Sequence, residues 1–440
     1  MSYADFLAAK QRRHGEHGRP CEPGDVNPWL KDWQREIVAW AVRKGRAALW
    51  EDTGLGKTVQ QIEWARLSSE GDGTRRPGQT DRSLIVAPLA VCQQTIREGA
   101  KIGVPIRYLR EDDGAPGLIV TNYEMADRFD PTTLDAVVLD EASILKQSDG
   151  KTRTKLIRHF AITPGRLACT ATPAPNDPEE LTSQAEFLGV MPRVEMLAAY
   201  FVHDDAGWRL KRHAVEPMYR WMTSWAVALR RPSDLGYSDD GYILPPLNVI
   251  PEIVHVEMAA PDGQLFRADI GGVGGRAQVR KETLAERVHR AVDLVKAEPD
   301  EPWLLWAGLN AEANALAAAL PGAVNVEGNW KPENKAAALL DFADGKIQYL
   351  ITKPSIASQG LNYQHCARMA FVGLNDSFEA FYQCMRRSWR YGQKRPVNAH
   401  IVLSQLEGQI AANVTRKERQ TSRMVDGLVT AMRTEWLAKR

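Results

Sequence analysis

Short, continuously apolar runs recur along the chain, and they constrain its fold more than any other feature. "SLIVAP" (Ser83–Pro88), "GLIVT" (Gly117–Thr121), "DAVVLDE" (Asp135–Glu141) and "RLACTAT" (Arg166–Thr172) are rich in Val, Ile and Leu. A strand with one wet face alternates apolar and polar residues. A run apolar at nearly every position suits a strand covered on both faces, as in a parallel sheet. Between these runs, "VCQQTIREGA" and "KTRTKLIRHF" carry helical spacing, so the sequence predicts an open α/β sheet.

A second series follows the Pro-punctuated stretch "YILPPLNVIPEIVHVEM". It comprises "PWLLWAG", "GAVNVEG", "IQYLIT", "RMAFVG" and "VNAHIVLS". With 440 residues and about 150 per domain, two α/β domains in tandem are expected. Their predicted bounds are 28–247 and 248–405, after a polar tail (1–27) and before a helical extension (406–440). In that extension Val425, Leu428, Val429, Met432 and Trp436 share one helical face, the pattern of a packing brace. From Asn176 to Asp240 the pattern weakens, and Trp208, Trp221 and Trp225 among many arginines suggest helices and loops. "GGVGG" (Gly271–Gly275) follows no strand and reads as a flexible loop.

The charge balance, 56 basic against 55 acidic side chains, excludes a wholly basic coat protein and leaves room for a local basic cleft. Five scattered cysteines without a C-x-x-C pair make neither a disulfide framework nor a zinc site. There is no secretory signal core and no membrane-length apolar run. These features suit an intracellular soluble protein, expected in the cytoplasm.

Three segments carry chemistry. In "LWEDTGLGKTVQQIEW" (Leu49–Trp64), Gly54 and Gly56 allow a tight turn whose amides point at phosphate oxygens, and a helix starts where the loop ends. Lys57 would reach the β- and γ-phosphates, and the Thr58 hydroxyl would ligate Mg2+. The first glycine of G-x-x-x-x-G-K-T falls at Glu51, which leaves T-G-x-G-K-T; the alternative is a plain helix-capping turn. Second, Asp140 and Glu141 end a buried run: Asp140 placed to share the Mg2+, Glu141 to orient a water for attack on the γ-phosphate. Third, "YQCMRRSWRYGQKRPV" (Tyr382–Val397) concentrates Arg386, Arg387, Arg390, Lys394 and Arg395. It is either a solvated basic face or a source of an arginine that reaches the γ-phosphate.

Together these motifs resemble helicases of the second superfamily, and within it the Swi/Snf-type double-stranded DNA translocases. "LKDWQREIVAW" resembles the family's opening segment, which makes Gln34 the adenine contact. "EDTGLGKT" is similar to D-E-M-G-L-G-K-T, a family form that also lacks the first glycine. The similarity assigns ATP contacts to Asp52, Thr53, Gly54, Leu55, Gly56, Lys57 and Thr58. "DEAS" departs from D-E-A-H at Ser143, which weakens the implied coupling of hydrolysis to movement. "CTATPAPN" resembles T-G-T-P-x-x-N, carrying Thr170, Thr172, Pro173 and Asn176. "ASQGLNYQHC" is similar to G-x-G-L-N-L at Gly360, Leu361 and Asn362. "QCMRRSWRYGQ" resembles Q-x-x-x-R-x-x-R-x-G-Q at Gln383, Arg387, Arg390, Gly392 and Gln393. That register makes Arg387 and Arg390 the arginine fingers, Gly360 and Gln383 nucleotide contacts, and Thr170, Thr172 and Asn362 coupling residues; Arg386 becomes a surface or strand contact.

The resemblance implies two tandem RecA-like domains, parallel sheets flanked by helices, with a nucleotide cleft between them. The cofactors are ATP and Mg2+, and the partner is DNA, duplex and read without sequence preference. It names no protein partner. Short spacers imply a minimal motor of bacterial or phage type. Phosphate contacts fall to Pro88, Thr121, Asn122 and Tyr123 in the first lobe, and to Trp306, Asn310, Thr352 and Ser358 in the second. Trp306 fits a core position equally well, and the Arg-rich stretch Trp208–Leu235 fits either a basic patch or helices with buried Trp faces. Strand separation, a restriction-type motor subunit and a nucleotide-gated binding factor with little turnover stand as alternatives.

Overall fold

The computed structural model describes residues 14–70, 80–146, 150–175, 177–205, 207–256, 279–357, 362–373, 378–405 and 408–438. Two compact units emerge: 1–242 with 420–440, and 243–419. Each is built on a parallel sheet flanked by helices, the RecA-like arrangement.

In the first unit the strands are β1 (Arg46–Glu51), β2 (Arg82–Ala87), β3 (Ile106–Tyr108), β4 (Gly117–Asn122), β5 (Ala136–Asp140) and β6 (Gly165–Cys169). An antiparallel hairpin, β7 (Phe201–Asp204) with β8 (Gly207–Leu210), stands apart from the sheet, and β9 (Ala226–Leu229) completes it. The sheet order is β3-β4-β2-β5-β6-β1-β9, every described pair parallel. Alternate residues feed two separate cores. Leu49 and Val138 pack towards the helices Asp32–Lys44, Lys57–Ser69 and Leu89–Lys101, while Trp50 and Val137 pack towards Leu181–Leu188 and Val215–Met222. Burial on both faces is what the continuous apolar runs encode.

The second unit has β10 (Leu247–Val254), β11 (Trp303–Ala307), β12 (Val324–Asn325), β13 (Tyr349–Thr352), β14 (Arg368–Val372) and β15 (Val397–Ser404). They are ordered β10-β15-β14-β11-β13-β12, again parallel. Leu304 and Trp306 face one core, Trp303 and Leu305 the other.

Two regions differ from the sequence reading, and the C-terminal helix follows it. Residues 14–27 are no loose tail: Cys21 and Val26 are buried, and the His17 and Gly18 amides donate to Lys44 and Arg43 carbonyls. The stretch expected as helices and loops after Asn176 contains the β7–β8 hairpin and strand β9. Trp221 and Trp225 are buried there, stacked edge-on at 5.5 Å, so their rings serve the core. The last helix, Gly408–Leu437, packs Met424, Leu428, Met432 and Trp436 onto the first unit's cores. Gly427 permits this approach, because a Cβ there would lie 2.4 Å from the Tyr219 ring. "GGVGG" lies outside the described residues. No described helix is long and apolar enough to cross a membrane.

Candidate nucleotide site

Parallel register brings three loops to one edge. Leu49 of β1 and Asp140 of β5 both pair with Cys169 of β6, so the segments after these strands leave the sheet side by side. In open α/β sheets this carboxyl edge is where ligands bind. The loop after β1 turns through Gly54 (φ 90°) and Gly56 (φ 82°), left-handed conformations that favour glycine. Gly56 has a second reason to lack a side chain, since a Cβ would sit 2.5 Å from the Gln34 amide nitrogen. Leu55 plugs the loop into the core, while Asp52, Thr53, Gly54, Lys57 and Thr58 stay partly exposed. The Lys57 ammonium donates to the Glu51 and Asp52 carbonyls at 2.6 and 3.1 Å. Thr58 stands in the first turn of the helix Lys57–Ser69.

That helix is buried nearly all round, so its polar side chains need internal partners. Gln60 donates to Glu51 Oε2 at 2.7 Å, and Gln61 donates to Asp140 Oδ1 at 2.8 Å. Gln34, on the preceding helix, donates to the Leu55 carbonyl at 2.8 Å and accepts from the Lys31 amide. Three amides thus brace the loop and its acid from behind. Gln34, expected as the adenine contact, is buried and holds the loop. Glu51 is fully buried; burial pushes its carboxyl up to about 7, opposed by Lys57 and the Gln60 hydrogen bond.

Asp140 is buried at the end of β5, and its carbonyl accepts the Tyr123 hydroxyl at 2.5 Å. Glu141, the next residue, has φ +58°, a left-handed backbone rare outside glycine and concentrated at functional sites. The turn swings its half-buried carboxylate to Thr170, whose hydroxyl donates to Oε2 at 3.3 Å. Thr170 Oγ1 in turn accepts the Thr172 amide at 3.1 Å. Ser143 is buried in the turn Ala142–Lys146. Asp140 and Thr58 offer hard oxygen donors, the chemistry Mg2+ takes. Among the described residues no three His, Cys, Asp or Glu side chains form a self-sufficient metal cluster, so a cation at this edge would need phosphate and water to complete its shell.

Several residues assigned to nucleic acid are spent inside the protein. Thr121 is buried and its hydroxyl donates to the Leu109 carbonyl at 2.7 Å. Asn122 is buried, accepting from the Tyr108 hydroxyl and donating to Glu124. The Tyr123 hydroxyl is the one bonded to Asp140, whereas Pro88, leading into Leu89–Lys101, is half-exposed. In the second unit Trp306 is 1% exposed and stacks on Phe371 at 6.2 Å, so the core reading holds for it. Thr352 is also buried, while Asn310 is exposed at the start of the helix Asn310–Ala319. Ser358, Gly360, Leu361 and Asn176 lie outside the described residues.

The arginine segment is a helix, Phe378–Ser388, and the turn beyond it. Gln383 is buried and accepts from Arg387 Nη2 at 3.0 Å, and Arg387 is itself buried. Arg390, past the helix end, is half-buried. Arg386 is no surface residue: it is 2% exposed, its guanidinium over the Trp389 ring at 4.7 Å and the Tyr382 ring at 5.7 Å. The Trp389 indole donates to the Pro245 carbonyl at 2.7 Å. Gln393 accepts the Lys394 and Arg395 amides, so it shapes this turn, with Gly392 at φ 92°. Asn362 is half-buried, and its side-chain oxygen has no hydrogen-bond partner among the described residues.

Fold and site define a two-unit parallel α/β protein with a phosphate-loop geometry at the carboxyl edge of its first sheet. No protein-family model matches the chain, and no curated protein matches it. Among solved structures it is similar to the Sulfolobus solfataricus SWI2/SNF2 ATPase core in complex with dsDNA. The identity is 17%, over 95% of this chain and 97% of that chain, with a TM-score of 0.43.

Proposed function

We propose that the chain is an ATPase motor of helicase superfamily two that moves along duplex DNA. The observation that carries this reading is the constellation at one sheet edge: Lys57 and Thr58 on the loop, Asp140 braced by Gln61, and Glu141 turned onto Thr170. Bound Mg2+ would be held by Asp140 and Thr58 and would neutralise phosphate charge. Lys57 would exchange its two carbonyl acceptors for phosphate oxygens. Glu141 would orient the attacking water and take its proton, and Thr170 would carry that carboxylate's position into the segment "CTATPAPN". Arg387 and Arg390, by their motif register, would supply positive charge in turnover. Contacts to DNA would be to phosphate, hence salt-dependent and sequence-independent.

The test compares ATPase stimulation by duplex DNA, single-stranded DNA and RNA at two salt concentrations. Duplex stimulation that falls with salt is expected. Stimulation by RNA alone rejects the duplex reading, and nucleotide binding without turnover would favour a gated binding factor. One observation favours strand separation as a second reading: the β7–β8 hairpin presents Trp208, 36% exposed, against His203 at 4.9 Å. β8 packs beside the turn Pro178–Glu180, just beyond the segment "CTATPAPN". Unwinding of a tailed duplex that Trp208→Ala abolishes, with ATPase retained, would establish this reading; absence of unwinding in the unaltered protein dismisses it.

A further inference from the structure

The amino edge of the first sheet carries the opposite charge. Arg46 opens β1 and pairs in register with Arg166 of β6, so the two side chains leave neighbouring strands at one level and on one face. Arg166 is 4% exposed and Arg46 half-buried. Arg166 Nη1 donates to the Phe187 carbonyl at 2.7 Å and Arg46 Nε to the Pro164 carbonyl at 3.2 Å. Their remaining ends converge on Gly189, an exposed residue at φ +67° that closes the helix Leu181–Leu188. A Cβ on Gly189 would lie 2.9 Å from Arg166 Nη2 and 3.2 Å from Arg46 Nη1.

Two imidazoles lie nearby, where the His17 amide donates to the Lys44 carbonyl two residues before Arg46. The His14 and His17 rings lie 4.6 Å apart at a tilt of 42°, and both are held below the ordinary histidine value. For His14, burial is the larger cause, followed by repulsion from His17, Lys44, Arg46 and Arg166, which takes it down to about 4. Burial and Arg46 likewise lower Arg166 to about 10. Among the described residues no acid pairs with Arg46 or Arg166. Arg166 Nε and His14 Nε2 are buried without hydrogen-bond partners. Arg82, at the head of β2 on the same edge, shows the alternative: its guanidinium pairs with Asp112 and bonds Thr133.

A buried charge without a counter-charge is disfavoured, and single carbonyls answer Arg166 and Arg46 only in part. The C-terminus of Leu181–Leu188 offers only about half a negative charge, which two adjacent guanidiniums exceed. The forked N–H donors of two adjacent guanidiniums, packed beside an exposed glycine, match the oxygens of a tetrahedral oxyanion. We propose that Arg46, Arg166, His14 and His17 form a binding site for a phosphate-type oxyanion, on the sheet edge opposite the Lys57 loop. The ligand is either free phosphate or a phosphodiester of a nucleic-acid strand. The site stands independently of the proposed motor activity.

The test is thermal unfolding in millimolar phosphate against chloride at equal ionic strength. Phosphate also fits the Lys57 loop, so Lys57→Ala is the background. Phosphate should raise its Tm by a few degrees, and adding Arg46→Gln should remove the rise. His17 is exposed, so His17→Gln leaves the packing intact and should weaken the phosphate response severalfold. Duplex DNA affinity separates the two sources. A phosphodiester ligand predicts about tenfold weaker binding in Arg46→Gln, with a salt slope smaller by about one. Free phosphate predicts unchanged DNA binding with the thermal response lost. If the Arg46 and His17 substitutions alter neither the phosphate response nor DNA binding, the site does not exist.

Discussion

The two edges of the first sheet are made by the same strands and do opposite things with charge. At the carboxyl edge the acids Glu51, Asp140 and Glu141 each receive a hydrogen bond, from Gln60, Gln61 and Thr170. At the amino edge Arg46 and Arg166 face each other with carbonyls as their described acceptors. Parallel strands put every exit on one side and every entrance on the other, so groups at strand ends are sorted by direction; on the amino edge the acid Asp135 is already taken up by the Thr80 and Arg82 amides. One edge is suited to a cation with its phosphates, the other to an anion. The carboxyl edge is organised in advance, with neutral amides or a hydroxyl fixing each acid; at the amino edge the charges of Arg46 and Arg166 are left to be answered by a ligand.

Substitutions can break or sharpen that contrast. The largest effect is expected from Arg390→Ala, which lies on neither edge. If the motif register is right, DNA-stimulated turnover falls by about 10³–10⁵ with nucleotide affinity nearly intact. A mild loss in steady-state ATPase assays would discard the register. Glu141→Gln should reduce hydrolysis by about 10²–10⁴ while ATP still binds, read by nucleotide titration beside turnover. Retained turnover would remove Glu141 as the water-orienting base.

Gln61→Ala leaves Asp140 without its amide. Support of this kind is worth about 10–100-fold in metal affinity, so the Mg2+ concentration for half-maximal ATPase should rise by that factor. A change in kcat without any shift in Mg2+ dependence would assign Gln61 to packing alone.

The smallest expected effect concerns Glu51. Its folded value of about 7 is raised above the ordinary 4.5, so the folded state holds the proton more tightly. That stability is fully present below about pH 4.5 and is lost as pH rises to about 7, at most a few kcal/mol. Denaturant unfolding at a series of pH values should show this slope, and Glu51→Gln should flatten it. An unchanged slope would mean that Glu51 is ionised in the folded protein.

Much of the fold was legible in the residues. The runs around Ile85, Val138, Leu167, Leu305 and Phe371 announced buried parallel strands, because burial on both faces requires apolar residues at every position. Strands β3, β7, β8 and β9 were not legible. "IRY" is too short to show a period, and "AVAL" beside Trp225 fits a helix as well as a strand. In the candidate site, Gly54, Gly56, Lys57, Asp140 and Glu141 were found from spacing and come together at one edge. Gln60 and Gln61 were missed, since a glutamine inside a helix reads as a solvated position until burial gives it a partner. Thr121 and Asn122, assigned to nucleic acid by the family resemblance, and Arg386, made a surface or strand contact by the motif register, are buried.

By itself, then, the sequence determined which of the continuously apolar segments become strands and where the backbone must turn at a phosphate loop, because both depend on local periodicity and on glycine's access to positive φ. Strand order is different. It sets Arg46 beside Arg166, 120 positions later in the chain, and Gln61 beside Asp140. Such pairs form only when distant segments align in register, so only the tertiary structure decided which polar groups are braced and which charges remain to be answered.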